Sequence, residues 1–255
     1  MSLDLHPTDR DLAVEVETGT GRRRLDLARR LAAEAFGTGM LIVAVIGSGI
    51  AASRLSAGDV GLQLLENAAA TAGALAGLIL MFGAVSGAHF NPAVTLLDRM
   101  LGTATTRDAG LYVVAQVAGG CLGAMLANVM FELPAINVST TDRSSAALWI
   151  SEVVATVTLL LLIQGSVRTG RSAVIPFAVG AWIGAAYWFT SSTSFANPAV
   201  TIARTLSDTF AGIAPSSAPM FVLTQLIGAV LAFGLVRLFY PHDHSETPTD
   251  ASPPH

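Results

Sequence analysis

Six long stretches of the chain are almost free of charged residues, and each is rich in apolar side chains. Four of them carry no charge, and the other two carry one glutamate each, Glu34 and Glu152. A helix needs about 20 predominantly apolar residues to cross the hydrocarbon core of a membrane. The pattern therefore predicts six transmembrane helices, over residues 31–53, 67–85, 111–131, 146–167, 172–196 and 219–236.

An alternative interpretation is a large soluble protein with apolar core helices. A surface helix of a soluble domain keeps a polar face, and these stretches have almost none. Only 13% of the 255 residues are charged, whereas soluble domains have about 25%. The stretches are instead rich in Gly, Ala and Ser, which allow membrane helices to approach closely. We therefore expect an all-α membrane protein whose main partner is the lipid bilayer.

The rest of the composition excludes several kinds of partner and site. The formal net charge of −4 gives no support for a nucleic-acid partner. Cys121 is the single cysteine of the sequence, so neither a disulfide framework nor a cysteine-rich metal site is expected. The apolar stretches hold no nucleophile–base pair and no set of metal ligands. We expect neither an enzyme nor a bound metal or cofactor.

The arginines predict the tails and the orientation of the chain. Residues 1–30, with twelve charged positions, are expected to form a disordered N-terminal tail, and residues 241–255, rich in Pro, His, Asp and Ser, a second one. With six spans both tails lie on one side, and that side carries eleven arginines. The other side has only Arg54, Arg143 and Arg204. Because arginine is enriched in cytoplasmic segments, both termini are predicted to be cytoplasmic.

Three features recur in the same order in the two halves of the domain between the tails, residues 31–240. Each half has three spans, so the second copy enters the membrane from the opposite side, and the repeats, about 31–131 and 146–240, are inverted. Inverted repeats place their shared site near the middle of the bilayer. The recurring features are Glu34 with Thr38 and Glu152 with Thr156, the Asn-Pro-Ala-Val-Thr segments 91–95 and 197–201, and Gln116 with Gly119 and Gln225 with Gly228.

The repeated Asn-Pro-Ala segments have the sequence of a helix start. Asn is a favoured N-cap residue and Pro is favoured at the first helical position. The apolar runs that follow are too short to span, so we expect two half-helices that meet with their positive N-terminal ends at the midplane. Such ends repel cations, including hydronium, while asparagine amides donate to the oxygen of a passing solute. Irregular backbone at this depth requires a cavity, so the segments predict a pore. They are Asn91-Pro92-Ala93 and Asn197-Pro198-Ala199.

The polar residues inside the predicted spans have two interpretations each. Glu34 and Glu152 are either proton-relay groups or acceptors for the backbone N–H groups of the re-entrant loops. The second is favoured because the two recur symmetrically and no basic residue lies within a span. Gln116 and Gln225 are expected to brace the same loops. His89 is either a pH-sensing gate or another bracing residue.

The sequence resembles the aquaporin, or major intrinsic protein, superfamily over about residues 30–240. The resemblance rests on the segment Ser-Gly-Ala-His-Phe-Asn-Pro-Ala-Val-Thr at 86–95, the second Asn-Pro-Ala and the paired Glu and Gln positions. It implies the fold of six helices and two half-helices, a homotetramer with a pore in each subunit, and passive conduction of water and small neutral solutes.

That family has a filter on one side of the asparagine pair, which usually contains an arginine three residues after the second asparagine. This sequence has Val200 there, and the family spacing places the other filter positions at Thr71, Ala185 and Ser194. These side chains imply a wide, weakly polar opening, similar to that of bacterial aquaglyceroporin-like channels of arsenic-resistance operons. The resemblance implies a bacterial inner-membrane channel for glycerol-like polyols, undissociated arsenite, methylated arsenicals and water. A water-selective aquaporin and a coupled secondary transporter are the alternatives.

Arg204 follows Asn197 by seven residues. Seven steps of 100° bring it to within about 20° of the face of the asparagine. One hypothesis is that Arg204 lines the outer vestibule and draws in oxyanions or polar solutes. The alternative is that it extends to the membrane interface or pairs with Asp208, four residues further along.

Overall fold

The structure is a computed structural model that describes residues 9–241, with side chains from residue 26 onward. The described part contains eight α-helices, and a short 3₁₀ turn, Ser172–Val174, leads into the sixth. The helices are α1 (Asp9–Leu55), α2 (Val60–Ser86), α3 (Pro92–Leu101), α4 (Thr106–Met130), α5 (Ala146–Arg168), α6 (Ile175–Phe189), α7 (Pro198–Arg204) and α8 (Ala218–Phe239).

The predicted membrane architecture is confirmed. Six helical segments are long and apolar enough to span, and α3 and α7 are the two short helices between them. The fifth span is shorter than predicted, because α6 ends at Phe189 rather than near residue 196. Thr193, Ser194 and Ala196 have positive φ angles of 61°, 53° and 49°, a conformation that a right-handed helix does not contain.

The first helix begins before the first predicted span. It starts at Asp9, so the described backbone before residue 31 is helical. Extending an existing helix adds one hydrogen bond for each residue fixed, and residues 22–36 contain neither Gly nor Pro to interrupt it. Arg30 also contacts the first turn of α4, at 3.3 Å from Asp108. Residues 1–8 and, in the predicted C-terminal tail, residues 242–255 lie outside the described part.

The two halves pack in the same way at a line of small residues. In the first half α4 crosses α1 so closely that a Cβ at Gly119 would overlap the Ala35 carbonyl oxygen. In the second half α8 crosses α5, and a Cβ at Gly228 would lie 2.9 Å from the Thr156 Cβ. Close backbone approach through small residues is a common way of joining membrane helices.

The inside of the bundle is occupied by the half-helices, whereas its outer surface is apolar. Most residues of α3 and α7 are buried. Large apolar side chains such as Leu65, Leu122 and Phe177 are more than half exposed on the surrounding helices. An apolar surface of this extent is suited to hydrocarbon rather than to water.

The ends of the helices define two membrane faces. Arg168 in the last turn of α5 donates to the Tyr240 carbonyl after α8, so these ends share one face with the Arg30–Asp108 contact. We call it the terminal face. On the opposite face, Arg54 donates to the Phe131 carbonyl. The half-helix α3 ends towards the terminal face and α7 towards the opposite face, as inverted repeats require.

Candidate functional site: a pore between two half-helices

Each half-helix begins at its asparagine. Asn91 has an extended backbone, and its Oδ1 accepts a hydrogen bond from the Ala93 N–H at 2.8 Å. Asn197 does the same for α7, accepting from Ala199 at 3.0 Å and from Val200 at 3.2 Å. The prolines that follow have no N–H to leave unpaired at the first helical position. The local sequence therefore ends the loop and starts the helix at the same residue in both repeats.

The two asparagines also join the repeats to each other. Asn91 Nδ2 donates to the carbonyl of Ala196 at 2.8 Å, and Asn197 Nδ2 donates to the carbonyl of Phe90 at 2.8 Å. Each asparagine thus holds the carbonyl that directly precedes the other one. A side-chain amide has two N–H donors, so each asparagine has one further N–H. Both residues lie in the wall of the central cavity.

The glutamates hold the loops that lead to the asparagines. Each carboxylate is fully buried and accepts hydrogen bonds from two loop N–H groups, one serine and one glutamine. For Glu34 the donors are Ser86 (2.6 Å), the His89 and Phe90 N–H groups (3.0 and 2.8 Å) and Gln116 (2.8 Å). For Glu152 they are Ser192 (2.6 Å), the Phe195 and Ala196 N–H groups (2.9 and 2.8 Å) and Gln225 (2.5 Å).

These loops are strained, which explains the need for a charged acceptor. Ala88 and Phe90 have φ angles of 50° and 48° in the first loop, and the second loop has the three positive angles given above. Each such non-glycine residue costs on the order of 1–3 kcal/mol. Hydrogen bonds to an ionised carboxylate are about twice as strong as neutral ones. The four donors on each glutamate therefore offset the strain of the loop.

His89 is bound on both ring nitrogens. Nδ1 lies 3.0 Å from the Thr95 hydroxyl, and Nε2 lies 3.1 Å from a carboxylate oxygen of Asp98. The other oxygen of Asp98 accepts from Gln164 on α5 at 2.8 Å. His89 therefore fixes the loop to α3 and also contributes to the cavity wall near the terminal face.

A cavity of about 300 Å³ passes between the two half-helices. Its wall includes His89 and Asp98 in the terminal-face half, both asparagines, and Arg204 in the opposite half. Apolar side chains from α1, α2, α5 and α6 supply the rest, among them Val45, Ile79, Leu159 and Val179. A mainly apolar wall with a few aligned polar groups suits a small solute that carries hydroxyl groups.

Three of the four predicted filter residues line this cavity, and one does not. Thr71, Ser194 and Val200 are buried in its wall. The placement of Ala185 there is wrong, because this residue is exposed on the outside of α6. Ile183 and Tyr187 line the cavity instead. They lie one helical turn apart on one face, whereas Ala185 is rotated by 200° from Ile183.

Arg204 also lies in the cavity wall and is only 2% exposed. Its Nε donates to the Ala211 carbonyl, and its Cζ lies 3.4 Å from the centroid of the Phe195 ring. The alternative of a pair with Asp208 is not observed in the described part, where Asp208 accepts from the Thr140 N–H at 2.9 Å. The guanidinium is therefore held at the opposite-face end of the cavity.

Comparison with known proteins shows which family has this architecture. A family model described as "Major intrinsic protein" matches residues 22–194 and 168–253. The chain belongs to the major intrinsic protein family. It is 50% identical over 215 residues to aquaglyceroporin AqpS of Rhizobium meliloti (strain 1021), covering 84% of this chain and 91% of that protein. It is 28% identical over 236 residues to probable aquaporin AqpM of Archaeoglobus fulgidus, covering 82% and 95%.

A solved structure shows the same fold. The aquaglyceroporin from Plasmodium falciparum matches with a TM-score of 0.65 at 20% identity, covering 82% of this chain and 95% of that one. As a major intrinsic protein, the chain is a multi-pass membrane channel for water and small neutral solutes and not an enzyme.

Several wall and bracing residues of this major intrinsic protein were missed by sequence reasoning. Ser86 and Ser192 each precede their asparagine by five residues, so the comparison of the two repeats contained the signal for them. Asp98 follows Asn91 by the same seven residues that separate Arg204 from Asn197. Tyr187 had no such signal, because nothing at an equivalent place in the first repeat points to it.

Proposed function

We propose that this channel conducts glycerol-sized polyols, undissociated arsenite and methylated arsenicals besides water, through a pore that is wide because Val200 occupies the usual arginine position. The observation that carries the proposal is the make-up of the cavity wall. Val200 and Ile183 are apolar members of this wall, and Thr71, Ser194 and Tyr187 bring hydroxyl groups. A solute with several hydroxyl groups finds hydrogen-bond partners on one side and apolar contact on the other.

The hydroxyl groups of the wall have capacity for a solute. The Ser194 hydroxyl is buried and has no hydrogen-bond partner among the described residues. The Thr71 hydroxyl lies 3.2 Å from that of Tyr187, and a hydroxyl has one donor and two acceptor positions. Together with the asparagine amides, they form a series of partners for a neutral polar molecule. The two positive helix ends at the asparagines disfavour cations.

The orientation and assembly are part of the same proposal. We place the terminal face in the cytoplasm of a bacterium, since the predicted order of the spans assigns eleven of the fourteen arginines to that side. The resemblance to the family supports a homotetramer in the inner membrane, with one pore in each subunit.

Two alternatives are separated by specific observations. A water-selective channel is favoured by Tyr187 and Arg204, two large side chains in the cavity wall. A proton-coupled transporter requires a carboxylate that exchanges protons during transport. Glu34 and Glu152 each already accept four hydrogen bonds, which leaves them as structural groups.

The test is stopped-flow light scattering of proteoliposomes that contain the full chain. Water, glycerol and arsenite at neutral pH are each applied as a gradient, with empty liposomes as the control. We expect all three permeabilities to rise, with solute flux linear in concentration and independent of a proton gradient. Water flux without glycerol or arsenite flux would establish the water-selective alternative. Saturable uptake driven by the gradient would establish the transporter.

A further inference from the structure

Two arginines approach the same aromatic ring on the opposite face of the channel. Arg204 lies over Phe195 at 3.4 Å from the ring centroid, and Arg143, from the loop before α5, lies at 5.2 Å. Guanidinium groups are attracted by the face of an aromatic ring. The ring, like Arg204, belongs to the cavity wall. Arg204 is therefore part of one mouth of the pore, and Arg143 lies beside it, next to the same ring.

Both side chains are anchored in a way that leaves their outer nitrogens available. Arg204 Nε donates to the Ala211 carbonyl. Arg143 Nε donates at 2.9 Å to the carbonyl of Gly212, the residue after Ala211. In the described part of the chain, no Nη atom of either arginine has a hydrogen-bond partner. Because Arg204 is 2% exposed, its Nη atoms meet solvent only at the cavity.

No carboxylate of the described residues lies within ion-pair distance of either arginine. Within residues 26–241 the ion pairs are Arg29–Asp26, Arg30–Asp108 and His89–Asp98. Glu152 attracts both guanidinium groups from further away, but its oxygens accept from its own four donors. The other nearby acids also have their own donors. Asp142 accepts from Ser217 at 2.8 Å, and Asp208 accepts from Thr140. Two like charges beside one ring repel each other, and the buried one is also poorly solvated.

We propose that Arg143 and Arg204 form a binding site for a small oxyanion at this mouth of the pore. Two planar guanidinium groups with free Nη donors match an oxyanion that has several acceptor oxygens. An anion there would contact the Nη donors directly, which no carboxylate of the described residues does. The chemical class is the ionised form of a small oxyacid. This inference rests on the proposed function, since the site lies at the end of the pore where a solute would enter or leave.

The other mouth of the pore is built differently. Asp98 is the counterpart of Arg204 in the first repeat, seven residues after Asn91. It is bound by His89 at 3.1 Å and by Gln164 at 2.8 Å. Asp98 at the terminal face thus has a charged partner in the protein, whereas neither arginine at the opposite face forms an ion pair within the described residues. Oxyanion binding is therefore expected at one mouth only.

The experiment measures binding of inorganic phosphate to the full-length channel in detergent. Thermal unfolding is followed over a range of phosphate concentrations, with chloride at equal ionic strength as the reference, because a ligand that binds the folded state raises the midpoint. Arg143→Gln and Arg204→Gln remove one guanidinium each. Arg204→Lys keeps the positive charge but lacks the planar set of N–H donors of a guanidinium. Arg54→Gln is the matched control, since Arg54 lies on the same face but binds the Phe131 carbonyl and ring rather than Phe195.

We expect phosphate to stabilise the parent chain and Arg54→Gln more than chloride does. Affinity should fall about tenfold or more in Arg143→Gln and Arg204→Gln, as for other buried charge pairs that lose a partner, and Arg204→Lys should fall between. Equal effects of phosphate and chloride, or an equal loss in Arg54→Gln, would overturn the site. If Arg204→Gln does not fold, Arg143→Gln and Arg204→Lys decide the matter.

A flux measurement separates this site from the proposed function. Phosphate should slow glycerol flux through the parent channel at the concentrations that stabilise it, and should not slow flux through Arg143→Gln. If glycerol does not permeate at all, the proposed function is wrong, while the binding result still decides the oxyanion site. If glycerol permeates but phosphate does not bind, the oxyanion site is wrong while the proposed function stands.

Discussion

Glu34 and Glu152 accept the same four kinds of hydrogen bond, although 118 residues separate them in the chain. In both repeats the carboxylate holds two successive loop N–H groups just before the asparagine. The position of the asparagine, and hence of the half-helix, depends on this acceptor. The two glutamates are therefore the supports of the pore rather than part of its lumen.

We expect Glu152→Gln to destabilise the channel by about 3 kcal/mol, because the amide loses a charged acceptor and directs an NH₂ group at backbone donors. The measurement is the unfolding midpoint in detergent, together with water flux. Glu132→Gln is the control, since Glu132 is exposed, and should stay within about 0.5 kcal/mol of the parent. A stable Glu152→Gln variant whose flux had lost only its pH dependence would support a proton-relay role instead.

Replacing Val200 with arginine tests the width of the pore. The larger side chain would take up space in the cavity that Thr71 and Tyr187 also line, so glycerol and arsenite flux should fall by about tenfold or more. Water is smaller, and its flux should fall less than that of glycerol. Stopped-flow permeabilities measure the ratio. Val200→Leu, which adds volume without charge, should give a smaller change. If Val200→Arg leaves all three fluxes unaltered, Val200 does not lie at the constriction.

The parts of the site that recur in both repeats were predictable from the sequence. Asn91 and Asn197 cap their helices through local chemistry, and two matching copies in inverted halves define where they meet. Glu34 and Glu152 were found in the same way. These inferences need only the spacing within a repeat.

The parts that depend on loop conformation were not predictable. The acceptor of Arg204, the Ala211 carbonyl, lies in the loop after α7, and no periodicity reveals that loop's path. Ala185 was placed by the spacing of the family, and the face of α6 that lines the cavity carries Ile183 and Tyr187 instead. The start of α1 before the first predicted span also has no periodic signal, because an apolar stretch marks the membrane span and not the end of the helix.

Substitutions on α6 test the corrected wall. Ala185→Phe adds a ring on the exposed side of the helix, and we expect glycerol flux within about twofold of the parent. Ile183→Phe adds the same ring inside the cavity and should reduce glycerol flux by about tenfold. Each protein serves as the control for the other, since both enlarge one residue of the same helix. If Ala185→Phe reduced glycerol flux more than Ile183→Phe does, Ala185 would be a filter residue after all.

The contact between α1 and α4 is tested by Gly119→Ala. The added Cβ would overlap the Ala35 carbonyl, and overpacking of this kind costs about 1–3 kcal/mol. The half-helices depend on this packing, because Glu34 and Gln116 lie on the same two helices. We therefore expect a lower unfolding midpoint and lower water and glycerol fluxes in equal proportion, in contrast to the selective loss expected for Val200→Arg.

Gly110→Ala is the matched control on the same helix, because a Cβ at Gly110 has no neighbour within 4 Å. Alanine is favoured over glycine in a helix by about 1 kcal/mol, so this variant should be as stable as the parent or slightly more so, with unchanged flux. If Gly119→Ala matched Gly110→Ala in both measurements, the helices would have room to separate. The half-helices would then be positioned by their own hydrogen bonds alone.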